Sequence, residues 1–146
     1  MSLHVEIIAV TLFRQNCTLM WDDETNEAVF TDVGGNVPRL LEEAEKRGLH
    51  VKAIWLTHGH LDHIGGVDDF RAHIPCPVCA AAESPRYCSD PNWNLSTWGG
   101  APMTLADVET FADGAHIALA ANPVMSLEVR YTPGHTTDSC IFYSAR

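Results

Sequence analysis

Positive charge is scarce in this chain. Nine lysines and arginines stand against 19 aspartates and glutamates in 146 residues, a formal net charge of −10. A surface of that sign repels phosphate backbones, so nucleic acid is not an expected partner. Long hydrophobic runs are also missing. No apolar stretch approaches the roughly 18 residues of a membrane span, so a membrane is not an expected partner either. The segment from Met1 to Val10 lacks a basic region and carries Glu6 inside its apolar stretch. It does not have the pattern of a secretory leader, and a cytoplasmic location is the expectation. Internal repeats and low-complexity segments are absent. Cysteines are odd in number, at five, which without a secretory leader favours free thiols over a disulfide framework.

What is present is the balance of a folded chain. Hydrophobic residues make up 46% and charged residues 19%, enough to build one buried core over residues 1–146. Histidine is the telling residue. There are eight, and three fall between His58 and His63.

The pattern along the chain is mixed. His4 to Thr11, Asn16 to Trp21 and Ala28 to Val33 read as strands of an antiparallel meander that ends at Gly34-Gly35. Val37 to Arg47 has Leu40, Leu41 and Ala44 at helical spacing, with Pro38 in the first turn and Gly48 just past the end. Val51 to Thr57 reads as a strand buried on both faces. His63 to His73 reads as a helix, stopped by Pro75 and Pro77, and Val78 to Ala81 as a short strand. Glu83 to Asp107 reads as irregular, with one helical turn at its start and another near Leu105. Asp113-Gly114 is a turn between strands. Ala115 to Ala120 pairs with Ser126 to Thr132, and Ser139 to Tyr143 is the last strand. Strands, then alternating strands and helices, then strands again make a layered α/β fold.

The outstanding segment is Thr57-His58-Gly59-His60-Leu61-Asp62-His63, followed by Ile64-Gly65-Gly66. On a helix, His58 and His60 would point about 200° apart. In an extended segment they point the same way. His58, His60 and Asp62 therefore converge only if the chain is extended or looped, which the preceding strand provides. His63 falls at the start of the next helix, set off from the others, so the segment reads as two clusters: paired imidazoles, and Asp62 with His63. The second segment, Thr132-Pro133-Gly134-His135-Thr136, presents His135 on a tight turn after another strand. It supplies a third imidazole, and three histidines with an open position are the coordination of a catalytic zinc.

Together, the HGHLDH and TPGH segments resemble the metallo-β-lactamase superfamily. Gln15-Asn16-Cys17, Thr31-Asp32-Val33-Gly34-Gly35 and Leu56-Thr57 make the resemblance strongest to its glyoxalase II-like (hydroxyacylglutathione hydrolase-like) branch. The resemblance covers essentially the whole chain. It implies an αββα sandwich with a metal site at one edge of the two sheets. By position, His58, His60 and His135 match the ligands of a first metal, and Asp62 and His63 those of a second. Asp62 also matches the residue that orients a metal-bound hydroxide for attack on a carbonyl. Zinc is the implied cofactor, two ions for the family, with iron or manganese as alternatives.

The resemblance also implies an aspartate bridging both metals after the last strand, and a final histidine beyond it. The sequence stops at Ser144-Ala145-Arg146, and Asp138 lies in the turn itself. The expectation is a fold truncated at its C-terminus, or one completed by a second copy of the chain. The implied activity is hydrolysis of a small thioester of the hydroxyacylglutathione type. The rivals are a mononuclear-iron persulfide dioxygenase of the same fold, and a non-catalytic metal-binding fragment.

Four weaker signals remain. Asp32 is read either as a brace behind the metal loop or as a turn former. Gly65 and Gly66 are read as positions of close backbone packing. Trp93 and Trp98 are read as core or loop anchors in preference to pocket lining. The Cys76-Pro-Val-Cys79 pair leads into a strand, so its side chains are expected on opposite faces, which argues against a redox or zinc-binding pair.

Overall fold

In the computed structural model, residues 3–99, 101–119 and 126–144 are described. The apolar, β-branched runs form β1 (Leu3–Val10), β2 (Gln15–Asp22) and β3 (Glu27–Thr31). They pair as the expected antiparallel meander, with Val10 opposite Gln15 and Thr18 opposite Thr31. Helix α1 follows at Val37–Lys46. Leu40 and Ala44 are buried on one side of it, while Glu43 pairs with Lys46 and Arg47 on another. Gly48, at φ 64°, takes the left-handed conformation that ends the helix.

Helix α1 carries the chain back along the sheet, so β4 (His50–Trp55) runs parallel to β3. Next, β5 (Val78–Ala81) runs parallel to β4, and β6 (Val108–Phe111) parallel to β5. The six strands stand in the order β1-β2-β3-β4-β5-β6. A separate antiparallel sheet holds β7 (His116–Ala118), β8 (Ser126–Tyr131) and β9 (Cys140–Tyr143).

Strand alternation sorts the core into layers. Val10, Leu19, Phe30 and Ile54 face the helices, packing on Leu40 and Ala44 of α1 and on Val67 and Phe70. Phe30 and Phe70 meet edge to face at 5.2 Å. On the other side, Met20, Val29, Ala53 and Trp55 pack on Leu119 and Leu127, and Ala81 and Phe111 pack with Val129 and Cys140. The result is helix, sheet and sheet: three layers of the expected sandwich, with no helix on the outer face of the small sheet among the described residues. No described helix is long and apolar enough to cross a membrane.

Several elements depart from expectation. The single helix over His63–His73 is two, α2 (Leu61–Ile64) and α3 (Val67–His73). The break is at Gly65-Gly66, whose backbone is pressed against Gly34-Gly35: a Cβ on Gly65 would lie 2.8 Å from Gly34 O, and one on Gly66 2.9 Å from Gly35 N. The turn at the start of the irregular region is helix α4 (Ser84–Cys88), but the segment at Leu105 is not helical. Its N–H donates to Cys88 O at 2.8 Å, and its side chain is buried against the core. Strand β6 has no clear sequence signal, because only Phe111 of its four residues is fully buried. The Asp113-Gly114 turn joins strands of different sheets, β6 and β7. Ala120, the end of one expected strand, lies outside the described residues.

Candidate metal centre

The parallel pairing of β3 and β4 decides the site. Thr31 stands beside Trp55 in the register, so the segments leaving the two strands emerge together. Asp32 leaves β3 and Leu56-Thr57-His58 leaves β4. Asp32 N–H donates to Trp55 O at 3.0 Å. Its carboxylate accepts from Thr57 N–H at 2.8 Å and from the Thr57 hydroxyl at 2.7 Å. Asp32 holds φ at 53°, an uncommon conformation that aspartate tolerates better than most residues. Gln15 Nε2 donates to Asp32 O at 2.6 Å and fixes it from β2. Asp32 is 4% exposed, so this is a bracing position and not a solvated turn.

Past Thr57 the chain stays extended to His60, at φ −73° and ψ 152°, before α2 begins. That geometry turns His58 and His60 to the same side. The small sheet brings the third ring. Cys140 N–H donates to Thr57 O at 2.9 Å, and Thr132 N–H to Ser139 O at 2.8 Å, which closes the loop carrying His135 against the end of β4. The rings of His58, His60 and His135 then form a near-equilateral triangle, with centroids 4.9, 5.1 and 4.9 Å apart.

Two sets of donor atoms lie within 4.8 Å of one another: His58, His60 and His135, and His58, Asp62 and His63. His63 is not set off. Its ring centroid is 3.9 Å from that of His58, because α2 begins at Leu61 and turns it back over the extended segment. Both clusters read from the sequence are present, and they share His58.

Protonation suits metal ligation. Burial pushes His58 down to about 4, helped by the charge of His63. Burial, then His135, also lowers His60. Both rings are therefore neutral at pH 7, with lone pairs to give. The tautomer of His58 follows from its neighbours. The single hydroxyl hydrogen of Thr57 goes to Asp32, and Thr57 Oγ1 lies 3.2 Å from His58 Nδ1. The hydrogen in that contact must come from Nδ1, which leaves Nε2 free to bind. His63 differs. Burial would lower it, but the adjacent Asp32 carboxylate, then Asp62 and Asp138, outweigh burial and raise it. Its Nδ1 is 3.1 Å from Asp32 Oδ2 and its Nε2 3.6 Å from Asp62 Oδ2.

Asp138 has a place that the turn reading missed. It is 1% exposed, and Ser84 Oγ donates to its Oδ2 at 2.8 Å. A Cβ on Gly59 would lie 3.3 Å from that same oxygen, so the carboxylate sits beneath the His58-Gly59-His60 backbone. It joins neither donor set. Its charge favours the protonated forms of His58, His60 and His63. A buried carboxylate here offsets positive charge on the cluster, whether proton or cation.

Trp98 corrects a second expectation. It is 82% exposed and lines an open cleft of about 360 Å³ with His60, Asp62 and His135. Only its distance from the histidines in sequence hid this. Trp93 does behave as an anchor, 5.0 Å from the Tyr87 ring with Arg86 3.8 Å over its face. Cys76 packs with the helix-side core and Cys79 with the two clusters on the other side of the sheet, so the pair shares no face. Burial raises both thiols, Cys79 to about 11.

Comparison with known proteins agrees with this geometry. A family model described as the metallo-beta-lactamase superfamily matches residues 10–146. Hydroxyacylglutathione hydrolase GloC of Haemophilus influenzae is 34% identical over 137 residues, covering 92% of this chain and 63% of that protein. The crystal structure of BLEG-1 B3 metallo-beta-lactamase superposes with a TM-score of 0.86 at 29% identity, covering 96% of this chain and 66% of that one. TTHA1623 in a di-iron-bound form gives 0.77 at 26% identity, over 94% and 66%. The chain thus spans just under two thirds of the length of each. With a family match over nearly all of its residues, the chain belongs to the metallo-β-lactamase superfamily and is similar to its glyoxalase II-like members.

Proposed function

We propose that this chain is a metal-dependent hydrolase that cleaves a small-molecule thioester of the hydroxyacylglutathione type. The observation that carries the reading is the triangle of His58, His60 and His135, of which His60 and His135 line an open cleft together with Asp62. The name of the similar Haemophilus protein supports the thioester class.

His58, His60 and His135 would hold one divalent metal, and Asp62 and His63, sharing the His58 side, a second. Zinc is the proposed ion; the di-iron form of a similar structure keeps iron as the alternative. When bound, such an ion polarises a carbonyl and lowers the pKa of water. The chain supplies the rest. Asp62 lines the cleft with a half-buried carboxylate and would orient the attacking water and take its proton. The water oxygen bonds to the thioester carbon, the carbon–sulfur bond breaks, and Asp62 would return the proton it took to the leaving sulfur, which departs as a thiol. Asp32 and Thr57 keep His58 in the binding tautomer throughout.

The test is metal content per chain and mass in solution, followed by hydrolysis of S-lactoylglutathione in the zinc- and iron-loaded forms. Bound metal with thioester turnover above a chelated control is expected. A chain that retains no metal, or binds it with no turnover of any thioester, overturns the reading.

A further inference from the structure

The cleft beside the histidines has an unusual second half. Apart from His60, Asp62 and His135, its lining is Phe13, Leu61, Leu95, Trp98 and Gly99. Phe13 is 70%, Leu95 44% and Trp98 82% exposed. Large apolar side chains grouped in the open beside a reactive centre mark a contact surface. Among the described residues the cleft lining carries no lysine or arginine, and the whole chain is strongly acidic.

These side chains are held in place. Asn94 is fully buried, and its carbonyl accepts from Leu61 N–H at 2.7 Å, tying the loop to the start of α2. Asn94 Nδ2 donates to Met103 O at 3.0 Å, and Asn94 Oδ1 accepts from Ser96 N–H at 2.9 Å. Leu95 holds φ at 68°, a left-handed conformation that a leucine rarely adopts. Trp98 and Gly99 N–H both donate to Leu95 O at 3.1 Å. Buried hydrogen bonds therefore set a strained leucine and an exposed tryptophan at the mouth of the site.

We propose that this half of the cleft seats an uncharged, apolar acyl group, so that among the thioesters the site accepts those with medium-length alkyl or aryl acyl chains are preferred. The inference rests on the thioesterase reading and specifies its substrate. The occupant follows from continuity with the histidine cluster, from the cleft's volume, and from a lining that, among the described residues, holds no cation to meet a carboxylate.

Two measurements test it. The first is calorimetric binding of non-hydrolysable S-alkyl thioethers of N-acetylcysteamine, with two to eight alkyl carbons, to the chelated and zinc-loaded protein. Affinity is expected to rise about twofold or more per added methylene, without dependence on salt, and to lose that slope in Trp98→Ala and Phe13→Ala. The second is kcat/KM for the matching acyl thioesters, expected to rise in parallel. A flat series overturns the proposal. So does a salt-sensitive preference for S-lactoylglutathione over the octanoyl ester. So does a dimer that Trp98→Ala dissolves, which would mean that a second copy covers the patch. Chain-length-dependent binding with no turnover of any thioester leaves the apolar seat standing and removes the hydrolase reading instead.

Discussion

Asp32 accepts two hydrogen bonds from Thr57, one from its backbone N–H at 2.8 Å and one from its hydroxyl at 2.7 Å. The pair locks the end of β3 to the end of β4 and assigns the Thr57 hydrogen. Thr57→Val keeps the shape and removes the hydroxyl, so the His58 tautomer is no longer fixed. Its zinc affinity should fall about tenfold, and that of Asp32→Ala by about 10- to 100-fold. Thr57→Ser should bind as the parent does. Competition with a chromophoric chelator measures all three, and equal affinities would refute the relay.

Gly34 admits no side chain. A Cβ there would sit 1.8 Å from Asp62 O and 2.8 Å from Gln15 Nε2. The first contact is with backbone, so the whole metal loop must move. Gly34→Ala should cost about 3 kcal/mol of stability and weaken metal binding as well. Thermal melts of chelated protein read the first effect and zinc titration the second. Unchanged melting would show that the loop yields more easily than its packing indicates.

Asp138 lies under the cluster without belonging to it. Asp138→Asn preserves the volume and removes the charge, and zinc affinity should drop about tenfold. Asp138→Ala also strands the Ser84 hydroxyl and should cost about 2 kcal/mol more. Zinc competition and urea unfolding separate the two effects. An asparagine variant that binds zinc like the parent would reduce Asp138 to a packing residue.

Acid should destabilise the chelated protein through His58. Its folded value is near 4 against an ordinary 6.5. Below about pH 6.5 the unfolded chain takes up a proton that the folded chain refuses, so stability falls from there toward pH 4. His63 works the other way. Its raised value adds stability below 6.5 that is lost as pH rises through it. Burial sets most of the His58 value, and His63, Asp32, His60 and Asp138 are the titratable neighbours that modify it. Urea midpoints at pH 7 and pH 5 should fall with acid in the parent, fall less in His58→Gln and fall more in His63→Gln. The opposite order would show that the ion pair of His63 with Asp32 governs the cluster.

Much of this molecule was legible in its sequence. Local periodicity carried the meander, α1 and most of the later strands, because alternation and helical spacing report burial residue by residue. The HGHLDH segment declared its chemistry because extended backbone after a strand turns alternate histidines to one side. What escaped were features that local pattern does not encode. Strand β6 buries too little to alternate, and the helix over His63–His73 breaks because Gly65-Gly66 must pass against Gly34-Gly35, some 30 positions earlier in sequence.

The sequence by itself determined the donor set: which imidazoles and carboxylates exist, and that His58 and His60 would face together. Only the tertiary structure decided what they form. Parallel pairing of β3 and β4 placed Asp32 on Thr57 and so chose the His58 tautomer. Docking of the small sheet at Thr57 O brought in His135 from more than 70 residues away. Folding of the loop carrying Asn94 delivered Trp98 to the same cleft. Each of these is a long-range contact, and long-range contacts follow from how whole layers pack rather than from the residues on either side of a given position.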